Sequence, residues 1–500
     1  MEWTREQRYL PYNKWDAETL LKLQAQADNS SYQLNYHIRP SSGLLNDPNG
    51  FSYYNNRWHV FYQSYPFGAV HGLKSWVHLE SCDLVHWQNK GLALGADTKY
   101  DSHGAYSGSA TVIDDKLFLM YTGNVRDQNW QRISYQNGAT MDKNGIVTKL
   151  AAPLIYAPAH VTEHFRDPQL LKHRDAYYVL LGAQDKTTLS GKVAVFKSKD
   201  LKNWEDLGYL DFSPETMGYM IECPNLVFID DKPVLIFCPQ GLDKNVANYD
   251  NIYPNMYVVG DKLKFDAARM ETKQVAPINL DDGFDVYATQ AFNAPDGKAY
   301  AISWVGLPDM TYPTDEEGWA NCFSQVKELS LDEQNRLVQR PVPAMADLRQ
   351  AGQVIKAEKA INGRQILVDN ASRSYELKLT IPKGQAGTLH LVANQDLSES
   401  LQLKFATGDA AQLVVDRAHS GIQFASDYGF TRQIDLTANE DLELDIFVDN
   451  SLFEIFVNGG LKVLTGRFFG SQANNQIAIQ GTTKEELAFR GTYWRIDHIQ

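Results

Sequence analysis

Residues 56–63 read NRWHVFYQ, a turn residue followed by a run of alternating aromatic and aliphatic positions. Similar segments begin at Asp115, Asp175, Asp231 and Gly297, so the starts are 59, 60, 56 and 66 residues apart. A regular spacing near 60 indicates repeated supersecondary units, and about sixty residues hold four strands with their turns. Five four-stranded units around one axis form a five-bladed β-propeller. We therefore predict an all-β propeller over residues 33–345.

Three short acidic motifs precede repeats one, three and four: Asn46-Asp47-Pro48, Arg166-Asp167-Pro168 and Glu222-Cys223-Pro224. Asp47, Asp167 and Glu222 lie 9, 8 and 9 residues before their repeat starts, while Ser107 and Tyr287 lie 8 and 10 before theirs. The innermost strand of each propeller blade lines the central channel. All five side chains are thus expected at one funnel. Clustered carboxylates of this kind are typical of glycoside hydrolysis.

The neighbours of each carboxylate suggest different protonation states. Arg166 adjoins Asp167, and a close guanidinium lowers the pKa of a carboxyl group. Glu222 lies in an apolar run, where burial raises the pKa and suits a general acid. Asp47 lies in a polar turn and is expected to stay ionised as a nucleophile. We therefore expect one acid, one nucleophile and one permanently charged stabiliser.

The remaining chain divides into two further parts. Residues 1–32 are predicted to be helical, because residues 17–26 contain good helix formers without Gly or Pro. Residues 352–500 alternate polar and apolar positions, as in 375–381 and 442–448, and indicate an antiparallel β-sandwich. Pro341-Val342-Pro343 is a plausible linker. The sequence leaves open whether the sandwich supports the propeller or builds a homodimer.

Composition restricts the partners. Lys and Arg number 47 against 61 Asp and Glu, a formal charge of −14, which argues against nucleic acid or an anionic membrane as a partner. The four cysteines match no zinc pattern, and the twelve histidines show no ligand spacing, so no metal or cofactor is expected. The first residues lack the apolar core of a signal peptide, and no stretch reaches the length of a membrane span. We expect a cytoplasmic enzyme with a small saccharide substrate.

At these motifs the chain resembles glycoside hydrolase family 32, the β-fructofuranosidases. Further similar motifs are residues 61–63, 106–110, 312–314 and 454–458. The resemblance implies a five-bladed propeller with a β-sandwich and a retaining double displacement. It implies Asp47 as nucleophile, Glu222 as acid/base and Asp167 as transition-state stabiliser. It also implies the following substrate contacts: Asn46, Gln63, Trp76, Tyr106, Ser107, Arg166, Tyr287 and Trp304.

Residues 163–168 are similar to the intracellular branch of this family that hydrolyses sucrose 6-phosphate. A phosphate on the glucosyl unit needs cations beyond the fructose pocket. Lys74, Arg126 and Arg132 are the candidates, because they lie in predicted loops that could reach there. Alternatives are an invertase, a fructan hydrolase or a fructosyl transferase on unphosphorylated sugars. A carbohydrate-binding propeller without activity is a further alternative, which the intact set of three carboxylates disfavours.

Overall fold

The computed structural model describes residues 3–357, 363–482 and 487–497. The N-terminal segment contains two α-helices, Arg5–Arg8 and Ala17–Asp28, with a 3₁₀ turn at Tyr12–Lys14 between them. Asp16 caps the longer helix by accepting a hydrogen bond from the Glu18 N–H. Within the described ranges, no helix is both long and apolar enough to cross a membrane. Further 3₁₀ turns are Phe265–Ala267, Pro313–Asp315, Pro343–Leu348, Ser426–Tyr428 and Asn458–Gly460.

Five antiparallel sheets follow one another along the chain, and we number them as blades one to five. Blade one contains Gly43–Tyr54, Arg57–Tyr65, Ser75–Ser81 and Trp87–Leu94, with Trp319–Ala320 added in parallel. Blade two contains Ala105–Ile113, Lys116–Arg126, Arg132–Met141, Val147–Lys149 and Ile155–Tyr156. Blade three contains Val161–His173, Ala176–Asp185, Gly191–Ser198 and Glu205–Tyr209.

The last two blades keep the same four-stranded plan. Blade four contains Met220–Ile229, Lys232–Gln240, Met256–Val259 and Ile278–Asn279, and a hairpin of Lys262–Lys264 with Arg269–Glu271 follows its third strand. Blade five contains Val286–Asn293, Ala299–Val305, Lys327–Leu331 and Leu337–Pro341, with Cys322–Phe323 paired to its second strand.

The first strands of the blades form a closed ring. Each contacts the first strand of the next blade, and that of blade five contacts that of blade one. Gln290 of blade five joins this closure, because its amide accepts from the Phe51 N–H at 2.6 Å and donates to the Gly108 carbonyl at 2.7 Å. Gln169 makes a similar pair of bonds to the backbone of Leu226, at 2.6 and 2.9 Å. Side-chain amides therefore connect inner strands that share no sheet.

Each inner strand carries a β-bulge at the same height. The regular pairing with the second strand is interrupted just after Asn46, Ala105, Arg166, Glu222 and Tyr287. A bulge inserts an extra residue and redirects the side chains beside it. Asp167 and Cys223 adopt positive φ angles of 67° and 47° at these places. The five bulges therefore set the directions of the side chains around the channel.

The C-terminal part is a sandwich of two six-stranded sheets. One sheet runs in the spatial order Gln353–Lys356, Arg490–Arg495, Ser374–Ile381, Leu442–Asp449, Leu452–Val457 and Lys462–Arg467. The other runs Arg364–Val368, Gln476–Gly481, Ala386–Ala393, Leu401–Ala406, Gln412–Asp416 and Thr431–Asp435. Inward-facing Leu, Ile, Val and Phe side chains of both sheets form one continuous core.

Buried charges join the sandwich to the propeller. Asp285, just before the inner strand of blade five, accepts from Arg417 Nη1 at 2.8 Å, the Arg467 N–H at 2.8 Å and the Tyr312 hydroxyl at 2.8 Å. Asp449 of the sandwich bonds the His37 ring at 2.9 Å, just before blade one. These groups are almost fully buried, so each charge depends on its partner across the interface.

Candidate active site

The three predicted carboxylates meet at the bulges of blades one, three and four. The Cys223 N–H donates to Asp167 Oδ2 at 3.0 Å, and the Cys223 thiol lies 3.7 Å from Asp47 Oδ2. Arg166 Nε lies 4.0 Å from Asp167 Oδ2 and bonds Glu222 directly. Glu222 is thus linked to Asp167 through Arg166, and Asp167 to Asp47 through Cys223. The convergence expected from the repeat is present.

Strand pairing corrects the predicted register by one position. Asn46, Arg166, Glu222 and Tyr287 occupy equivalent paired positions before the bulges. Asp47 follows its paired position and lies in the bulge, as Asp167 does. Glu222 is therefore equivalent to Arg166 rather than to the two aspartates. The spacing alone could not distinguish these places, because the blades differ in loop length.

Asp47 is held by a small polar network. The Ser107 hydroxyl donates to its Oδ2, and Asn46 Nδ2 donates to its Oδ1 at 3.2 Å. Gln63 connects the two donors, because its Oε1 accepts from Asn46 at 2.8 Å and its Nε2 donates to Ser107 at 2.7 Å. Burial raises the pKa of Asp47, and the bond from Ser107 opposes that rise. The network therefore favours an ionised and fixed carboxylate.

Glu222 is the carboxylate that receives most donors. Arg166 Nε and Nη2 lie 2.9 and 2.6 Å from its Oε1, while the Gln240 amide and Tyr287 hydroxyl donate to its Oε2 at 2.8 and 2.6 Å. Burial raises the pKa of Glu222, but Arg166 and Tyr287 outweigh it and the net direction is downward. Burial of Tyr287 beside Glu222 raises the pKa of the phenol and keeps it protonated.

Asp167 carries the opposite shift. Burial and the nearby charges of Glu222 and Asp47 raise its pKa to about 7, although Arg166 opposes the rise. The protonation expected from the sequence is therefore wrong for this site without substrate. The reason is geometric, since Arg166 lies 2.6 Å from Glu222 Oε1 but 4.0 Å from Asp167 Oδ2, although Asp167 is its neighbour in sequence. Of the two carboxyl groups, Asp167 therefore holds a proton more readily than Glu222 in the site without substrate.

Trp76 does not line the site as predicted. Its side chain is fully buried between Phe61 and Tyr121, and its Nε1 donates to the Tyr106 carbonyl at 3.0 Å. It therefore supports the strand that carries Ser107 and cannot offer its ring to a sugar. The sequence expectation of direct contact is corrected by this burial.

Lys74 is also placed differently from the prediction. It is 3% exposed, and its Nζ donates to Asn46 Oδ1 at 2.5 Å. It lies in the loop just before the strand Ser75–Ser81, with its side chain directed inward to Asn46. This position conflicts with a role in holding a phosphate beyond the fructose pocket.

The other predicted contacts surround the carboxylates. The Trp304 ring lies against Tyr287, with centroids 6.0 Å apart. Its centroid is also 6.3 Å from that of the His71 ring. The Trp304 indole N–H is buried without a hydrogen-bond acceptor among the described residues. Tyr106 follows Ala105 into the bulge of blade two, and its hydroxyl accepts from Asn124 at 3.2 Å.

Arg126 and Arg132 are directly paired across the end of a blade-two hairpin. The Nε–H of each is buried and finds no hydrogen-bond acceptor in the described part of the chain. Neither is within ion-pair distance of a described carboxylate, and the Arg132 guanidinium lies 6.0 Å from the centre of the Tyr106 ring. Arg132 is close enough to help lower the pKa of Glu222. Two adjacent guanidinium groups without a carboxylate partner among the described residues favour the binding of an anionic ligand.

Several side chains at the site were not predicted. Gln240 bonds Glu222, Thr122 accepts the Asp167 N–H at 3.0 Å, and His164 Nδ1 lies 3.0 Å from Arg166 Nη1. Gln240 ends the second strand of blade four, and Gln63 lies two residues before the end of the second strand of blade one, a likeness that was a usable signal. Thr122 sits in ordinary strand sequence and carries no such signal, whereas His164 lies within the motif of residues 163–168. Among the described residues, no group of three or more His, Cys, Asp or Glu is arranged to hold a metal ion.

Comparison with known proteins assigns the family. Residues 37–341 match the family model "Glycosyl hydrolases family 32 N-terminal domain", and residues 344–495 match "Glycosyl hydrolases family 32 C terminal". The chain belongs to glycosyl hydrolase family 32. The all-β fold class, a five-bladed propeller followed by a β-sandwich, is thereby confirmed together with the predicted resemblance.

Individual relatives are similar over nearly the full length. The chain is 50% identical to a sucrose-6-phosphate hydrolase of Pediococcus pentosaceus, covering 99% of this chain and 96% of that one. A solved sucrose-6-phosphate hydrolase of Lactobacillus gasseri is 57% identical with a TM-score of 0.96, covering 100% of both chains. A solved β-fructofuranosidase of Bombyx mori in complex with sucrose is 29% identical with a TM-score of 0.82, covering 96% and 97%.

Proposed function

We propose that this protein is a retaining β-fructofuranosidase that hydrolyses sucrose 6-phosphate to fructose and glucose 6-phosphate. The observation that carries the proposal is the meeting of Asp47, Asp167 and Glu222, together with two adjacent arginines whose Nε–H groups find no acceptor among the described residues. The names of the similar sucrose-6-phosphate hydrolases support the same substrate. Sucrose itself is expected to be a poorer substrate.

In the proposed mechanism, Asp47 attacks the anomeric carbon of the fructosyl unit. Glu222 gives its proton to the glycosidic oxygen, so the C–O bond breaks and glucose 6-phosphate leaves. Water then loses a proton to Glu222 and displaces Asp47, which releases fructose. Asp167 stays ionised beside the sugar and stabilises the positive charge that develops on the ring.

The first step requires the proton on Glu222, whereas the empty site favours it on Asp167. Sugar hydroxyls that donate to Asp167 would lower the pKa of its carboxyl group. The proton is then better placed on Glu222, whose pKa rises as water leaves the pocket. Substrate binding therefore sets the protonation state that the chemistry needs.

Arg126 and Arg132 are the proposed phosphate ligands. Their buried Nε–H groups lack acceptors among the described residues, and a phosphate supplies three charged acceptor oxygens. Lys74 is left out of this role because of its burial beside Asn46. A cytoplasmic location belongs to the same proposal and is supported by four cysteines that are all free thiols.

A release assay tests the substrate. Purified protein is given sucrose 6-phosphate, sucrose and a short inulin oligomer, with Asp47→Ala as the inactive control. We expect the highest kcat/KM for the phosphorylated sugar. Arg132→Gln should reduce that preference by about 10- to 100-fold, the value of one or two charge-assisted hydrogen bonds. Arg336→Gln, at an exposed ion pair with Asp332, is the matched control.

The alternatives give different results in the same assay. A higher kcat/KM on sucrose or inulin oligomers would keep the mechanism and assign the protein as an invertase or fructan hydrolase. Fructosylated sugars in place of free fructose would indicate a transferase. Absence of any product, with binding retained, would indicate a carbohydrate-binding propeller.

A further inference from the structure

Lys74 begins a chain of hydrogen bonds that ends on both oxygens of Asp47. An ammonium has only donors, so Asn46 must turn its Oδ1 toward Lys74. Asn46 Nδ2 then faces Gln63 Oε1 at 2.8 Å and Asp47 Oδ1 at 3.2 Å. Each amide has one acceptor end and one donor end, so fixing the first fixes the second.

The second half of the chain follows from the first. Because Gln63 uses its Oε1 as the acceptor from Asn46, its Nε2 is directed to Ser107 Oγ at 2.7 Å. Ser107 has a single proton, which it therefore gives to Asp47 Oδ2. The donor-only Lys74 at one end and the acceptor-only carboxylate of Asp47 at the other thus require the same direction of every bond in the chain.

Lys74 is an unusual choice for such a place. Its side chain is buried, and among the described residues no carboxylate oxygen lies within ion-pair distance of its Nζ. The charged or titratable groups that act on it are Asp47 from blade one, Arg8 from the N-terminal segment and His71 from its own loop. A neutral donor could orient the Asn46 amide, and a buried cation is costly. The charge of Lys74 is therefore expected to have a function beyond this hydrogen bond.

We propose that Lys74 is a positioning residue for the hydrolysis, which directs Asn46, Gln63 and Ser107 so that both oxygens of Asp47 receive donors. Its charge also stabilises the ionised carboxylate that acts as nucleophile. The inference rests on the proposed role of Asp47 but is independent of which sugar leaves. It replaces the phosphate-binding role predicted for Lys74 from the sequence.

Protonation of Lys74 is compatible with this role. Burial lowers its pKa to about 7, with Asp47 opposing the decrease and Arg8 adding to it. Below pH 7 the side chain is mainly charged. The acid limb of kcat/KM reports ionisation of the nucleophile in the free enzyme, so a charged Lys74 is expected to act on that limb.

The test compares full-length Lys74→Met and Lys74→Arg with the wild type, on sucrose 6-phosphate and on sucrose, over a range of pH. We expect Lys74→Met to lower kcat/KM at least about 10-fold on both sugars and to move the acid limb upward by about one pH unit. Lys74→Arg keeps the charge and should restore most of both quantities. Lys199→Met, at an exposed turn, is the matched control and should change neither.

Three outcomes would overturn the inference. Loss confined to sucrose 6-phosphate would make Lys74 a phosphate ligand. Loss without a shift of the acid limb, and without rescue by Lys74→Arg, would leave only a structural role. A kcat/KM of Lys74→Met within about twofold of the wild-type value on both sugars would leave Lys74 without any role in the reaction, because loss of a positioning hydrogen bond costs more than that. If the wild type cleaves neither sugar, the proposed function fails instead, which is a separate result.

A second variant separates the orientation of Asn46 from the charge of Lys74, and it does not require that the buried site accept a methionine. Lys74→Gln can still donate to Asn46 but carries no charge. We expect an intermediate kcat together with the full upward shift of the acid limb. An acid limb unchanged in a folded Lys74→Gln enzyme would contradict the proposed electrostatic contribution. Circular dichroism and the melting temperature establish folding in each case.

Discussion

At the scale of single residues, the direction of one arginine explains why protonation could not be predicted. Arg166 adjoins Asp167 in sequence yet bonds Glu222, which is 56 residues further along the chain. Neighbouring motifs identified the three carboxylates correctly as a cluster. Their relative pKa values depend on small differences in distance around a guanidinium, and sequence spacing contains no such information.

Ser107 provides the first residue-scale prediction. Its hydroxyl opposes the rise in the pKa of Asp47, so Ser107→Ala should raise that pKa and move the acid limb of kcat/KM upward. We expect kcat/KM to fall about 10- to 100-fold, as for loss of a hydrogen bond to a charged group. The pH profile of kcat/KM measures both effects.

Ser109→Ala is the control for this prediction. Ser109 lies two residues further on the same strand, and its hydroxyl accepts the Leu170 N–H at 2.9 Å instead of contacting Asp47. An equal shift of the acid limb in both variants would mean that the strand, rather than the hydroxyl of Ser107, controls Asp47.

Asp167 provides a second prediction from its raised pKa of about 7. A carboxyl group with a raised pKa stays protonated up to that pH and loses its proton above it. The empty site therefore loses its proton as pH rises through about 7, and kcat/KM should decline there. Asp167→Asn should move this alkaline limb to lower pH, because the remaining proton site is Glu222, whose pKa is lowered. An alkaline limb unchanged in this variant would assign it to another group.

At the scale of the elements, the repeat predicted the blades but not their bulges. Alternation of aromatic and aliphatic residues is a strong signal for strands, and the spacing indicated their number. The bulges depend on backbone pairing between strands, and a bulge shifts register without changing composition. The correction for Trp76 has another cause, because it pairs in regular register with Gln63 and is withheld by the burial of its ring against Phe61 and Tyr121.

Gln169 allows a test of how neighbouring blades are held together. Its buried amide makes two hydrogen bonds to the backbone of Leu226 in the next blade. Gln169→Leu should leave one N–H and one carbonyl buried without partners and lower the free energy of unfolding by about 2 to 4 kcal/mol. Chemical denaturation measures the change. Gln433→Leu, where the exposed amide bonds the exposed Gln412, should change it by less than about 0.5 kcal/mol.

At the scale of the whole molecule, buried ion pairs bind the sandwich to the propeller. Asp285 accepts three hydrogen bonds, two of them from the sandwich residues Arg417 and Arg467. The alternating pattern of residues 352–500 predicted a sandwich, but the partner of its buried arginines is distant in sequence. Such pairs are specified by the docked surfaces of both domains and carry no local signature.

His37 makes the stability of this interface depend on pH. Burial lowers the pKa of its imidazole, but Asp449 and Glu454 outweigh burial and raise it from 6.5 to about 9. A histidine with a raised pKa contributes stability that is complete below its unfolded value and is lost as pH rises through its folded one. We expect the melting temperature of the wild type to exceed that of His37→Gln most at about pH 6, and the difference to shrink by about pH 9. A difference constant over this range would contradict the charged state of His37.

Inner strands of three blades bring Asp47, Asp167 and Glu222 together, and we propose that Asp47 is the nucleophile. The most direct measurement is mass spectrometry of Glu222→Gln after reaction with a fructosyl fluoride, whose leaving group needs no acid. Peptide mapping should find one fructosyl unit on Asp47, because the second step lacks its base and the intermediate accumulates. An adduct on Asp167 or Cys223 instead, or fluoride release with inversion at the anomeric carbon, would contradict it.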